Sequence, residues 1–308
     1  VRRLKTVLVV VWALLLVLLV PSSAWAVSTY EPAVVADTPL AYYRLGEASG
    51  TSAADASGNS RSGTYTGSTY TLGAASLLAS ESTNTAVSFS GGRVAVSDAA
   101  WMDASAFTVE ALVKPSTVAA GVGVIIARSN PTSYESFDLR RNGSDVVWRV
   151  MNTGFAYNTV TCSGALTADT KAHIMATHSG SVMKVYVNGT QCGGDVSASA
   201  PRNPSINEAM SIGALGNGSS SFAGTIDEAA YYGTALTEAR ADAHIAADAE
   251  PEPEPEPDPD PVLTCTEASP CVMTLEGQDD FEVATVVGLG VLVMIQLVGV
   301  IGSWGRRG

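Results

Sequence analysis

Few side chains in this 308-residue chain are of types and spacings that could do chemistry. Asp227 and Glu228 are adjacent carboxylates in a stretch where Phe222 and Ile226 alternate with small or polar residues. That period of two reads as a half-buried strand. Neighbours on a strand point to opposite faces, so only one of the pair is expected to aim at a shared site. Asp55-Ala-Ser-Gly-Asn59 is an oxygen-rich turn, which reads either as ligands for a hard cation or as a side-chain-capped turn. Arg140, Arg141, Trp148, Arg149, Phe155 and Tyr157 crowd into one region. They combine aromatic surface with hydrogen-bonding groups, as a small-ligand face requires. Arg140, Trp148 and Tyr157 are the ligand-binding candidates, with a core position as the other reading of Trp148. His173 and His178, five apart on one expected strand, point to opposite faces. No serine-nucleophile, phosphate-loop or metalloprotease motif occurs in the sequence.

The elements that must position these residues read as short strands joined by Gly-rich turns. Strands are expected at 40–45, 86–89, 94–97, 107–114, 123–127, 136–141, 146–151, 171–179, 181–188, 210–213 and 221–232. Pro115 ends the fifth of these. The 86–89 and 94–97 pair is read as a hairpin around Ser90-Gly-Gly92, and Asn188-Gly189 as a hairpin turn. Residues 27–39 are read as an extended lead-in, 51–67 as a long loop, and 235–247 as a short helix. This pattern predicts an all-β, two-sheet antiparallel jelly-roll sandwich.

Seven short motifs stand in order: Tyr42-Tyr-Arg-Leu-Gly-Glu47, Ala54-Asp-Ala-Ser-Gly-Asn59, Gly63-Thr-Tyr65, Thr85-Ala-Val-Ser-Phe-Ser-Gly91, Phe107-Thr-Val-Glu-Ala-Leu-Val-Lys-Pro115, Lys184-Val-Tyr-Val-Asn-Gly189 and Gly224-Thr-Ile-Asp-Glu228. In that order the chain resembles the LamG-like jellyroll family of the concanavalin A-like lectin/glucanase group, over roughly residues 30–247. The resemblance implies fold more than function, since the fold hosts binders, adhesins and hydrolases. Carried over by position, it implies a structural calcium site built from Asp55, Asn59 and Asp227. Glu47 and Glu110 also match family positions, and Glu110 faces away from Phe107, Val109, Ala111 and Val113. Leu112 stands where the family commonly has an aromatic, and Tyr43 where it commonly has a Trp. The Glu-x-Asp-x-x-Glu motif of hydrolases sharing the fold is absent, so the chain is expected to bind and not to catalyse.

Composition supplies the setting. The net charge of −13 argues against nucleic acid as a partner. Residues 1–26 carry Arg2, Arg3 and Lys5, then an apolar run, then Ala24-Trp25-Ala26, and read as a signal peptide. The domain follows at 27–248, an acidic Pro-rich linker at 249–262 and a juxtamembrane segment at 263–282. The apolar run 283–304 would span about 33 Å as a transmembrane helix. Arg306 and Arg307 in the tail, 305–308, place the domain outside. The cysteines are expected to pair locally, Cys162 with Cys192 and Cys265 with Cys271, in an oxidising compartment. The expected function is a surface-displayed binding or adhesion module for a glycan or protein. The alternatives are a filamentous-phage-type adsorption protein, whose segment order the chain shares, and a glycoside hydrolase.

Overall fold

The computed structural model describes residues 29–249 apart from 82, 130–134 and 202–207, together with the backbone of 262–266, 269–274, 287–289 and 292–294. The first unit contains the helix α1 (Tyr30–Ala36) and the strands β1 (Ala41–Tyr43), β2 (Ser52–Ala53), β3 (Gly63–Thr66), β4 (Tyr70–Ala75), β5 (Thr85–Phe89) and β6 (Arg93–Val96). A short 3-10 turn at Ala100–Met102 precedes β7 (Phe107–Pro115), β8 (Val122–Ser129), β9 (Glu135–Asn142), β10 (Asp145–Met151) and β11 (Tyr157–Cys162). Then come β12 (Ala172–His178), β13 (Val182–Val187), β14 (Thr190–Ser197), β15 (Ala209–Ile212), β16 (Gly224–Tyr232) and the helix α2 (Glu238–Ala247).

The strands form two antiparallel sheets. The first runs β14-β13-β12-β7-β16-β5-β4, with β1 also on β16; the second runs β11-β10-β9-β8-β15-β6-β3-β2. Alternate residues of each strand fill the space between them. Phe107, Val109, Ala111 and Val113 of β7 meet Ile125, Phe137, Leu139, Trp148 and Val150 from the facing sheet. The other face of the first sheet is also covered. Tyr30 and Val34, one turn apart on α1, pack on Tyr42, Leu112, Ala230 and Tyr232, and Ala241 of α2 packs on Met175 and Tyr186. With both faces covered, β12 is buried at every position.

Several expectations are corrected. The lead-in at 27–39 contains α1, whose seven residues are too few to show helical periodicity. Residues 51–67 carry β2 and β3 in addition to loop. β5 and β6 are not a hairpin: β5 pairs with β16 and β4, while β6 pairs with β15 and β3, so the segment between them crosses from one sheet to the other. The turn at Asn188-Gly189 is as expected. Both residues have positive φ, 49° and 81°, and join Val187 directly to Thr190, the geometry that favours Asn-Gly between strands.

The second unit, residues 251–308, contains two strand pairs, β17 (Val262–Thr266) with β18 (Ser269–Thr274) and β19 (Val287–Leu289) with β20 (Leu292–Met294). β19 and β20 stand in the run expected as a transmembrane helix; the rest of 283–304 lies outside the described residues, as do the signal peptide and most of the linker. No helix among the described residues is long and apolar enough to cross a membrane.

Candidate functional site

Among the described residues no helix packs on the outer face of the second sheet, and two of the three ligand candidates, Arg140 and Tyr157, meet there. Strand register sets Asp138, Arg149 and Thr159 in one row across β9, β10 and β11, with Arg140 beside Val147 in the next. Asp138 is fully buried. Burial pushes its carboxyl up, against the pull of Arg140 and Arg149. Arg149 donates from Nε and Nη2 to Asp138 Oδ2, at 3.0 and 2.8 Å, and Arg140 Nε donates to Oδ1. The Arg149 guanidinium lies 4.3 Å over the Tyr157 ring, a cation–π contact, and the Tyr157 hydroxyl donates to Glu135. Arg140 Nη2 makes no hydrogen bond among the described residues and sits 3.8 Å from Glu135 Oε1.

The hairpin joining β10 to β11 extends this strip. Asn152 Oδ1 accepts from the backbone N–H of Gly154 and Ala156, at 2.9 and 3.1 Å, which fixes the turn. Phe155 sits in it with φ +62° and is 61% exposed. With Val35 it is one of two exposed large hydrophobic side chains among the described residues.

On the outer face of the first sheet, beneath α1 and α2, lies a buried polar layer. Glu110 on β7 accepts from His173 Nε2 (2.5 Å) on β12 and His244 Nδ1 (2.7 Å) on α2 through Oε1, and from the Tyr232 hydroxyl (2.7 Å) through Oε2. Burial alone would raise its pKa, but the two histidines hold it well below the usual carboxylate range. His244 is shifted up by Glu110 and Asp37 despite its own burial. His178, by contrast, stacks on Phe107 toward the core, 5.6 Å between ring centres, so the two β12 histidines do face opposite ways. The signal for this layer in the sequence was a set of polar residues, Glu110 and His173, at outward positions of otherwise apolar strands.

Asp227 and Glu228 belong to the same face, which corrects the expectation that they point apart. Glu228 has φ +51° and the pairing of β16 with β7 slips between Asp227 and Ala230. This β-bulge inserts an extra residue, so Ile226 and Ala229 both join the core while both carboxylates stay out of it. Glu228 is held by the Tyr42 hydroxyl, by Arg44 Nε at 3.2 Å and by Asn84 Nδ2 at 3.0 Å. Burial raises the Asp227 carboxyl to about 7 and Glu228 well above its ordinary value.

The remaining candidates divide. Trp148 is not on the ligand face: it is fully buried, packs edge-on to Phe107, and donates Nε1–H to the Thr177 carbonyl across the sandwich. Its even-numbered register with Val146 and Val150 turns it inward. The calcium set does not fit a cation. Asp55 receives the backbone N–H of Tyr42, Ser57 and Arg61, at 3.0, 2.9 and 2.8 Å. Asp227 receives that of Leu77 at 2.8 Å and Glu228 at 3.0 Å, and the two carboxylates share no partner. Asn59 donates its amide to the Pro39 and Leu40 carbonyls. N–H dipoles aimed at both carboxylates occupy the directions a cation would need. Glu47 likewise ties Ala54 N–H and the Tyr65 hydroxyl. The Cys162–Cys192 disulfide is formed. Cys265 and Cys271 lie on the paired strands β17 and β18.

Known proteins share this architecture. A binding domain of botulinum neurotoxin serotype D superposes with a TM-score of 0.52 at 14% identity, over 68% of this chain and 52% of that one. The binding domain of botulinum neurotoxin DC, solved in complex with rat synaptotagmin II, matches at 0.52 and 10% identity, over 70% and 52%. A botulinum neurotoxin type C structure, described with two ganglioside molecules, matches at 0.53 and 10%, over 71% and 53%. The chain thus spans about half the length of these structures, and at such identities the likeness is one of fold. No curated protein sequence matches the chain. The model of the Laminin_G_3 family matches residues 88–241, half of the sequence and most of both sheets. The chain therefore belongs to the Laminin_G_3 family of the concanavalin A-like lectin/glucanases superfamily.

Proposed function

We propose that this protein is a non-catalytic binding module that takes a glycan or protein ligand on the outer face of its second sheet. The observation that carries the reading is Phe155, 61% exposed on a braced hairpin, beside the strip of Tyr157, Arg149 and Arg140. An aromatic next to oriented guanidinium groups suits the face of a sugar ring and its hydroxyl or carboxylate substituents, or an anchor residue of a protein. Neurotoxin binding domains of the same fold, crystallised with synaptotagmin or described with gangliosides, support recognition as a use of this architecture. Against turnover, Asp227, Glu228 and Glu110 are buried beneath the helices and hydrogen-bonded, and Asp138 is neutralised by two arginines. The signal-like N-terminus, acidic Pro-rich spacer and apolar C-terminal run support export and display at a membrane surface.

The test is a glycan-array and surface-protein binding screen of the full chain beside Phe155→Ala and Tyr157→Ala. The expected result is a ligand whose affinity falls at least tenfold in either variant while the melting midpoint holds. A ligand bound equally by both variants, or hydrolysis of any glycan on the array, overturns the proposal.

A further inference from the structure

The buried layer beneath the helices contains a donor set that the binding reading leaves unused. Glu110 Oε1, His173 Nε2 and His244 Nδ1 lie together within 4.8 Å, and all three residues are buried. They come from β7, β12 and α2, so only the folded domain assembles them. The chain has three histidines, and two of them meet here. We propose that Glu110, His173 and His244 form a structural site for a divalent transition metal of the zinc class, which pins α2 to the first sheet.

Donor chemistry selects the metal. Two imidazole nitrogens and one carboxylate oxygen suit zinc, cobalt or nickel, whereas calcium and magnesium take oxygen shells. The supporting groups are those that orient metal ligands. Asp37 Oδ2 lies 3.0 Å from His244 Nε2, the ring nitrogen remote from the site, in an ion-pair contact without a hydrogen bond; a small turn of the ring would give the carboxylate–histidine–metal arrangement. Tyr232 holds the other oxygen of Glu110 at 2.7 Å, and the Tyr30 hydroxyl donates to Oε1 at 3.3 Å. Glu110 supplies one negative charge to the ion directly, while Asp37 is shared with Arg240, whose Nε lies 2.7 Å from the same Oδ2. His173 Nδ1 is buried with no hydrogen-bond partner among the described residues. Hydrogen bonds now hold the donors 2.5 and 2.7 Å apart. An ion with bonds of about 2.0–2.1 Å replaces those protons once the atoms spread to roughly 3.3 Å, a side-chain adjustment of under about 1 Å.

The experiment loads the purified full chain with Zn²⁺ or Co²⁺, removes excess by dialysis, and measures metal content, the cobalt visible spectrum and the melting midpoint. The proposal expects one metal per chain, cobalt bands typical of nitrogen and oxygen ligands, and a higher midpoint. All should persist in Cys265→Ser/Cys271→Ser, which removes the thiols of the second unit. His244→Ala should lose the metal, and Asp37→Asn should weaken binding about 10–100-fold. Wild-type protein that melts cooperatively but retains no metal overturns the proposal, whether or not the variants fold. Metal lost with the two thiols, or retained unchanged in His244→Ala, overturns it too.

Discussion

Replacing Cys162 and Cys192 by alanine should lower the stability of the domain by several kcal/mol. The bond closes a loop of 30 residues. Loop-closure entropy for that length amounts to about 12 cal/mol/K, or about 3.6 kcal/mol at 25 °C. The positions add a structural reason for the loss to be expressed in full. β11 is the edge of the second sheet and β14 the edge of the first, so the bond closes one open side of the sandwich where no backbone ladder can run. For a domain of this size about 1 kcal/mol moves the midpoint by roughly 2–4 °C, which puts the expected drop at about 7–14 °C. Thermal unfolding of the full chain, followed through its tryptophan fluorescence, measures it, with chemical reduction of the wild type as a second route to the same state. A double variant melting within about 3 °C of wild type would show that the unfolded chain gains little freedom from the cut, and would refute the reasoning.

Three other outcomes follow from the site geometry. Asp227 is held near 7 against an ordinary 3.8. A carboxyl raised in the folded state contributes stability that is present in full at acid pH and lost as pH rises through 7, at most about 4 kcal/mol. The midpoint should therefore fall between about pH 4 and 7, and Asp227→Asn should reduce that slope, leaving the share that the raised Glu228 contributes; an equal slope in the variant assigns the titration elsewhere. Added millimolar calcium should leave the melting midpoint unchanged, because Asp55 and Asp227 are already enclosed by backbone N–H groups; a calcium-dependent rise abolished by Asp227→Ala would reverse that conclusion. Trp148→Ala should cost about 3–5 kcal/mol with ligand affinity retained in the folded fraction, since the ring lies between the sheets; a variant of normal stability that fails to bind would return Trp148 to the ligand face.

Local pattern carried much of this protein. The alternation in 107–114 names β7 and its inward side, because strand geometry makes every second side chain a core residue. Asn188-Gly189 names a turn, because its positive φ angles strain most other residues. The spacing of Cys162 and Cys192 about a strand pair names their bond, and the five-residue interval puts His173 and His178 on opposite faces. Other features depend on contacts between distant segments. One left-handed residue at Glu228 turns both carboxylates away from the core, and no local pattern marks it, since its hydrogen bonds come from Tyr42, Arg44 and Asn84. α1 forms because Tyr30 and Val34 find Tyr42 and Tyr232 to pack against, an energy invisible in seven residues of propensity. Whether β5 turns back on β6 or leaves for the other sheet is decided by which strands complete each ladder. Glu110, His173 and His244 stand 63 and 134 residues apart along the chain, so their meeting is a property of the packed sheet and helix alone.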